Sequence, residues 1–384
     1  MSARRVLYLD HTAALGGAEI ALLRLLQHLD RGRWEPVVVL GEEGRLAPQL
    51  RSMQIPTGIR DFPRRLADLH QDGIRPRSLA SPARLAALAW YVRGLAGLLR
   101  ELRIDLVHTN SWRASLVGAI AGKAAGVPVV WQVHSVAAVP MMSRTGAALV
   151  RLLARLPQAV ICNSTVTAGA LRLPPSRVAV IPCGLPPSPS LACDEAARSP
   201  RVGMVSRFAF IKGQHVFLDA IGRLAATYPT AEFVLAGTAL FGEHAYEAEI
   251  RARARASAAA ARIRLPGFVD DTTALLASLD VVVSPSVAAE GFGQVIAEAM
   301  MAGKPVVASS AGAPAEIIED RRTGRLVAPG DSSALAAAID ELLANPTEAR
   351  AMGRRARRVA LERYDIEKTT RSVERVYEEV LARR

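Results

Sequence analysis

The sequence predicts an α/β protein of two doubly wound, parallel-sheet domains, and three observations predict it. Short runs rich in Val, Ile and Leu alternate with helical patterns along almost the whole chain. Most are apolar throughout rather than at every second position, which indicates strands covered on both faces, the condition of parallel sheets. The alternation breaks once, in PCGLPPSPSLACDEAARSPR (182–201), where Pro and Ser cluster and periodicity is lost. Finally, 384 residues suit two domains, each large enough to bury its own core.

In the first half the strand signals are RVLYLD (5–10), PVVVL (36–40), IDLVHTN (104–110), PVVWQVHS (128–135), AVICNS (159–164) and VAVIPCG (178–184). In the second half they are RVGMVSR (201–207), EFVLAG (232–237), RIRLPGF (262–268), DVVVSPS (280–286), PVVASS (305–310) and GRLVAP (324–329). The final segment, DIEKTTRSVERVYEEVLARR, reads as one amphipathic helix with Val373, Val376 and Val380 on a common face. The domains are placed at residues 1–185 and 200–365, with the helix over 366–384 expected to pack back on the first.

Composition narrows the functional classes. Half of the residues are hydrophobic but only 5% are aromatic, so Ala, Leu and Val must fill the interior. A net charge of +12 implies anionic partners: phosphorylated ligands, nucleic acid or acidic lipid surfaces. No nucleic-acid reading motif or aromatic stacking platform is present, so nucleic acid is set aside. Cys162, Cys183 and Cys193 are odd in number and form no C-x-x-C pair, which argues against a disulfide framework or zinc site and points to a reducing compartment. The first apolar run ends at Asp10, too early for a signal segment, and no run approaches the ~20 apolar residues that span a bilayer. The expectation is a cytoplasmic protein, soluble or peripheral at the inner face of the membrane.

Residues 59–104 carry nine arginines against four acids. Within them Leu85, Leu88, Val92, Leu95 and Leu99 form an apolar stripe, with Arg93 and Arg100 on the opposite face. Two readings stand side by side: a helix packed on the sheet, or a basic amphipathic helix at an anionic membrane.

The chemistry-bearing residues stand at strand ends. Gly16 and Gly17 of HTAALGGAEIALLRLL lie at a strand-to-helix corner, where backbone N–H groups can approach an anion. The pattern lacks the third glycine of a dinucleotide fingerprint, and a plain tight turn reads equally well. In GMVSRFAFIKGQHVFLDAI, Arg207 and Lys212 lie in one loop and can converge on a single anionic group, a planar fork beside a compact charge. His108 and His134 close two first-half strands, each either a core histidine or a side chain reaching the crevice. Neither has a carboxylate at metal-ligand spacing, so no metal is expected.

SPSVAAEGFGQVIAEAMMAGKPVVASS (284–310) places Glu290 before a Gly-Phe-Gly corner and Glu298 after it, the first on a loop and the second within a helix. Both then face the C-terminal edge of a sheet, where open α/β folds bind ligands. Carboxylates without a metal accept from hydroxyl groups, so the pair suits the two ends of one elongated ligand. A sugar, a diphosphate and a ribose in sequence would use every feature, and that ligand is a nucleotide sugar.

With these motifs in place, the chain resembles the retaining glycosyltransferases of GT-B fold, in particular glycosyltransferase family 4. The resemblance covers nearly the full length. It rests on the E-x7-E pattern of 290–298 followed by TGRLVAPGD, supported by GGAE (16–19), His134, NS (163–164), IPCG (181–184) and SRFAFIKG (206–213). It implies two Rossmann-like domains facing across a cleft, an N-terminal one for the acceptor and a C-terminal one for the donor. By resemblance, Gly16 and Gly17 contact the donor phosphate through their backbone, and Arg207 and Lys212 neutralise the leaving diphosphate. Glu290 faces the sugar hydroxyls, Phe292 and Gly293 hold sugar and phosphate by backbone N–H groups, and Glu298 accepts from the ribose. His134 lies beside the transferred sugar, and Phe268 and Val269 resemble the segment that contacts the base.

His134-Ser135 and Cys183-Gly184 depart from the family's usual His-Asp or His-Thr and Asn-Gly; both lie on the acceptor and linker side. The resemblance implies transfer from a UDP- or GDP-sugar to a hydroxyl acceptor without a cofactor. A lipid-linked acceptor in envelope polysaccharide or glycolipid synthesis is expected, with a soluble natural product as the alternative. A sugar-nucleotide epimerase or hydrolase on the same scaffold is the competing enzyme class.

Overall fold

The structure is a computed structural model that describes residues 3–63, 81–136, 143–187, 199–240 and 242–383. Cys193 and residues 64–80 of the arginine-rich stretch lie outside the described residues. The chain forms two compact units, residues 1–184 with 366–384, and residues 185–365.

The first unit is built on a seven-stranded sheet in the order β3-β2-β1-β4-β5-β6-β7. Its strands are β1 (Arg4–Asp10), β2 (Trp34–Leu40), β3 (Thr57–Ile59), β4 (Leu106–Thr109), β5 (Val129–Val133), β6 (Ala159–Cys162) and β7 (Val178–Val180). All six pairings are parallel. Burial on both faces causes this: β4 and β5 are buried at every position and must be covered on both sides.

One cover is the helix Pro82–Glu101, which turns Tyr91, Val92, Leu95, Ala96 and Leu99 inward. Most of the apolar stripe therefore belongs to the core. Only its first residue is left out, Leu85 at 53% exposure; Trp90, which is not part of the stripe, is 67% exposed. On the other face lies the helix Ile366–Ala382, whose Val373, Val376, Tyr377 and Val380 join Val6, Tyr8 and Trp34 in one cluster.

The second unit has six strands in the order β10-β9-β8-β11-β12-β13, again all parallel. They are β8 (Arg201–Val205), β9 (Glu232–Ala236), β10 (Ile263–Gly267), β11 (Val281–Ser284), β12 (Val306–Ser309) and β13 (Arg325–Val327). The helices Gln214–Leu224 and Ser332–Ala344 pack Phe217, Ile221, Leu335 and Ile339 into its core.

In both sheets the order runs backwards from the first strand and then forwards. Crossovers to either side of that first strand leave on opposite faces, opening a crevice at its C-terminal end. The crevices lie between β1 and β4, and between β8 and β11.

Candidate active site

In the second unit the loop after β8 folds back on itself. Gln214, almost wholly buried, donates from Nε2 to Ser206 Oγ (3.0 Å) and to the Arg207 carbonyl (2.8 Å). The loop ends at Gly213 with φ +76°, where a Cβ would lie 2.1 Å from the Pro285 carbonyl oxygen. Only glycine fits so close to the β11 loop, and this approach sets Lys212 beside it. The Lys212 ammonium donates to Glu290 Oε1 at 2.6 Å, and the Ser286 hydroxyl donates to the same oxygen. The Glu290 backbone is fixed too: its N–H donates to Ala311 and its carbonyl accepts from Ala313, each at 3.0 Å.

Burial alone would push the Glu290 carboxyl up. The adjacent Lys212 charge and hydrogen bond, the Ser286 hydroxyl and the Arg207 charge outweigh burial and hold it below the ordinary value. Arg207 itself pairs with Glu243. The two cations thus take different carboxylates, while the charges of both act on Glu290.

The Gly-Phe-Gly corner follows. Gly293 adopts the left-handed φ of +85° as N-cap of the helix Gln294–Met301, which carries Glu298 at a partly exposed position. Phe292 is buried, its ring edge-on to Tyr364 at 5.5 Å, so its side chain serves packing. Phe268 and Val269 follow β10, the edge strand of this sheet.

In the first unit, Gly16 caps the helix Gly17–His28, and its N–H donates to Glu19 Oε2 at 3.0 Å. The Gly16 amide is therefore engaged by the helix's own third residue. Burial, and then the charge of Asp10, push the Glu19 carboxyl up to about 8, so it is protonated at neutral pH. His134, just past β5, has its Nε2 2.9 Å from Asn110 Oδ1. Burial pushes its pKa down to about 4, leaving a neutral ring. His108 is a core residue: it is fully buried and its Nδ1 meets the Tyr377 hydroxyl at 2.7 Å.

Sequence reasoning passes over Asp10, Asn110, Ser286 and Glu243. A polar residue at or just beyond the C-terminal end of an apolar strand is the signal that could have found the first three. Glu243 has none, because its partner lies 36 residues away. Among the described residues no group of three or more His, Cys, Asp or Glu is placed to hold a metal ion, and no helix is long and apolar enough to cross a membrane.

Family models match the two units in turn: one described as Glycosyltransferase Family 4 over residues 15–188, and one as Glycosyl transferases group 1 over residues 199–345. The chain belongs to the group 1, family 4 glycosyltransferases. Anabaena Alr3699/HepE, a structure solved in complex with UDP and glucose, is 27% identical with a TM-score of 0.82, covering 97% of this chain and 99% of that one. The phosphatidyl-myo-inositol mannosyltransferase of Mycobacterium leprae is 35% identical over 171 residues, 44% of this chain and 43% of that protein. The lipopolysaccharide core biosynthesis mannosyltransferase LpcC of Rhizobium leguminosarum is 32% identical over 180 residues, 47% of this chain and 51% of that protein. The chain thus spans about half the length, or less, of these two curated relatives. The two parallel-sheet units match the GT-B architecture of this family.

Proposed function

We propose that this family member is a retaining, metal-independent hexosyltransferase that moves a sugar from UDP or GDP to an acceptor hydroxyl in envelope polysaccharide or glycolipid assembly. The observation that carries this is the Lys212–Glu290 pair at the crevice of the second sheet, a cation and a carboxylate at hydrogen-bond distance, with the charge of Arg207 also acting on Glu290. A diphosphate requires the cations and a sugar requires the acceptor. The likeness to a protein solved with UDP and glucose, and to two mannosyltransferases named for lipid or lipopolysaccharide products, supports the donor and acceptor classes.

In this mechanism the bond from the anomeric carbon to the diphosphate oxygen breaks, and its electron pair stays with the phosphate. The acceptor oxygen bonds to that carbon from the same face, and its proton passes to the departing phosphate oxygen. Negative charge grows on the phosphate in the transition state, so the fixed charges of Arg207 and Lys212 lower the barrier more than they tighten ground-state binding. Glu290 orients the Lys212 ammonium and accepts from sugar hydroxyls, Glu298 holds the ribose, and His134 stands beside the sugar. Gly17, Phe292 and Gly293 offer backbone N–H groups, with Phe268 and Val269 beside the base.

A panel of UDP- and GDP-sugars scored by thermal stabilisation and by nucleotide release, with and without EDTA, tests the reading. The true donor stabilises the fold by mass action, and the product keeps the donor's anomeric configuration. Stabilisation by no nucleotide sugar, or strict metal dependence, defeats the proposal. Conversion of the sugar nucleotide without an acceptor would indicate the epimerase.

Exposed Leu85 and Trp90, the latter with Arg60 over its ring, favour peripheral membrane contact. Co-sedimentation with acidic vesicles at low salt checks it. Failure to bind points to a soluble acceptor.

A further inference from the structure

Parallel register brings three strand ends of the first unit together. Leu9 is paired with Thr109, and Thr109 with Trp131, so Asp10 and Asn110 leave β1 and β4 side by side, with His134 just beyond β5. Asp10 and Asn110 are each 1% exposed, so their polar atoms must be satisfied within the protein.

Donors and acceptors around them can be assigned completely. Asn110 Nδ2 faces Asp10 Oδ2 at 2.7 Å and the Ala18 carbonyl at 3.3 Å. Both are acceptors, so the amide nitrogen belongs on that side and Oδ1 points to His134. An amide oxygen can only accept; the His134 nitrogen 2.9 Å away, Nε2, must therefore carry the proton. Asp10 is held in turn by the His11 backbone N–H at 2.7 Å and by His11 Nδ1 at 3.1 Å. Arg113, which can only donate, lies 2.9 Å from His11 Nε2, placing the His11 proton on Nδ1, towards Asp10 and Ser111. The His134 carbonyl is fixed from the other side by Asn163 Nδ2 at 3.2 Å, and Thr167 donates to Asn163 Oδ1 at 3.0 Å.

We propose that Asp10 and Asn110 are a positioning pair that locks His134 as its Nε2–H tautomer and leaves Nδ1 as a lone-pair acceptor for a substrate hydroxyl. The ring is neutral at pH 7, so it has one proton to place, and the amide decides where. Donation to Nδ1 would hold a hydroxyl with its oxygen near the ring and its carbon turned away. The opposite tautomer would present a donor there instead. The role of Nδ1 rests on the transfer reading above; the tautomer does not.

The test is long-range 1H–15N correlation on the full-length, 15N-labelled chain at pH 7, with the His134 signals identified by their loss in His134→Gln. A protonated Nε2 and an unprotonated Nδ1 are expected. A proton on Nδ1 overturns the proposal. In Asn110→Ala the lock is removed: the His134 signals move towards a mixture of tautomers, kcat falls by about 10²-fold as the hydroxyl loses its aim, and binding of UDP or GDP by calorimetry is unchanged. A folded Asn110→Ala protein with the wild-type tautomer, or with wild-type kcat, overturns it equally. Should Asn110→Ala not fold, the wild-type spectrum still decides. If the tautomer is as stated and no nucleotide sugar turns over, the transfer reading fails and the pair stands. Transfer with the other tautomer has the reverse meaning.

Discussion

The crevices of the two sheets occupy equivalent places and are built from opposite electrostatics. In the second unit, Lys212 meets Glu290 between β8 and β11 and Arg207 meets Glu243 from beyond β9, so formal charges face each other. Between β1 and β4, a single carboxylate gathers an amide, an imidazole and a backbone N–H, and burial raises the pKa of its acidic neighbour Glu19. The first arrangement suits a ligand whose charge grows during reaction, because fixed ions stabilise it without reorganising. The second suits a neutral hydroxyl, for which direction matters more than charge. The same fold thus presents two different polar environments through the residues placed at the ends of its strands.

The largest effect expected from breaking this contrast comes from Lys212→Ala, which lowers turnover by at least ~10²-fold while the unit stays folded. It also releases Glu290: with its main counter-charge gone, burial is opposed only by Ser286 and Arg207, and the carboxyl titrates higher. In the wild type the depressed Glu290 pKa contributes stability above the ordinary carboxyl range that is lost as pH falls through the folded value. Lys212→Ala should lose part of that contribution at neutral pH. Near-normal kcat in the folded variant would remove Lys212 from the mechanism.

An intermediate effect separates the two glutamates. In the proposed mechanism Glu290 meets the sugar whose charge changes, so Glu290→Gln should lower kcat, whereas Glu298→Gln should raise KM by about tenfold, as for one lost hydrogen bond to a charged group. The Lys212 pairing sharpens this expectation. Removing the Glu290 charge leaves the ammonium more available, so Glu290→Gln binds the bare nucleoside diphosphate at least as tightly as wild type, and Glu298→Gln binds it more weakly. Calorimetry giving the reverse order would break the division of labour.

The smallest effect tests the crevice of the first sheet. Glu19 keeps its proton in the folded chain up to about pH 8 but loses it in the ordinary carboxyl range when unfolded. The folded state therefore binds more protons across that window, and its stability falls as pH rises. Glu19→Gln keeps an acceptor for the Gly16 amide and has nothing to titrate. Its melting temperature should exceed that of wild type by on the order of a few degrees at pH 8, with the advantage vanishing at acid pH. A difference that does not change with pH would mean that Glu19 is ionised.

Among the described residues twelve of the thirteen strands are legible in the sequence, most of them because a run buried on both faces is rich in Val, Ile and Leu. The exception, β3, has three residues, Thr57, Gly58 and Ile59, at the sheet edge and none fully buried, so it has neither length nor pattern to read. The Gly-Phe-Gly corner exposes Glu290 and Glu298 for a local reason: glycine marks a turn wherever it occurs. The partners of Glu290 and Arg207 are not local. Asp10 and Asn110, one hundred residues apart, each read as an ordinary strand end until register places them together. His108 reads equally well as core or site until Tyr377, 269 residues further on, supplies its hydrogen bond.

That hydrogen bond bears on how the protein is made. The first unit cannot complete its core until Val373, Val376 and Tyr377 have been synthesised, whereas every residue of the second is present once Asp365 has emerged. On the ribosome the unit begun first is the last to be completed. Until then Tyr8, Trp34 and His108 lack the side chains that cover them. A nascent chain halted before residue 366 would expose this apolar face to chaperones or to its neighbours on the polysome.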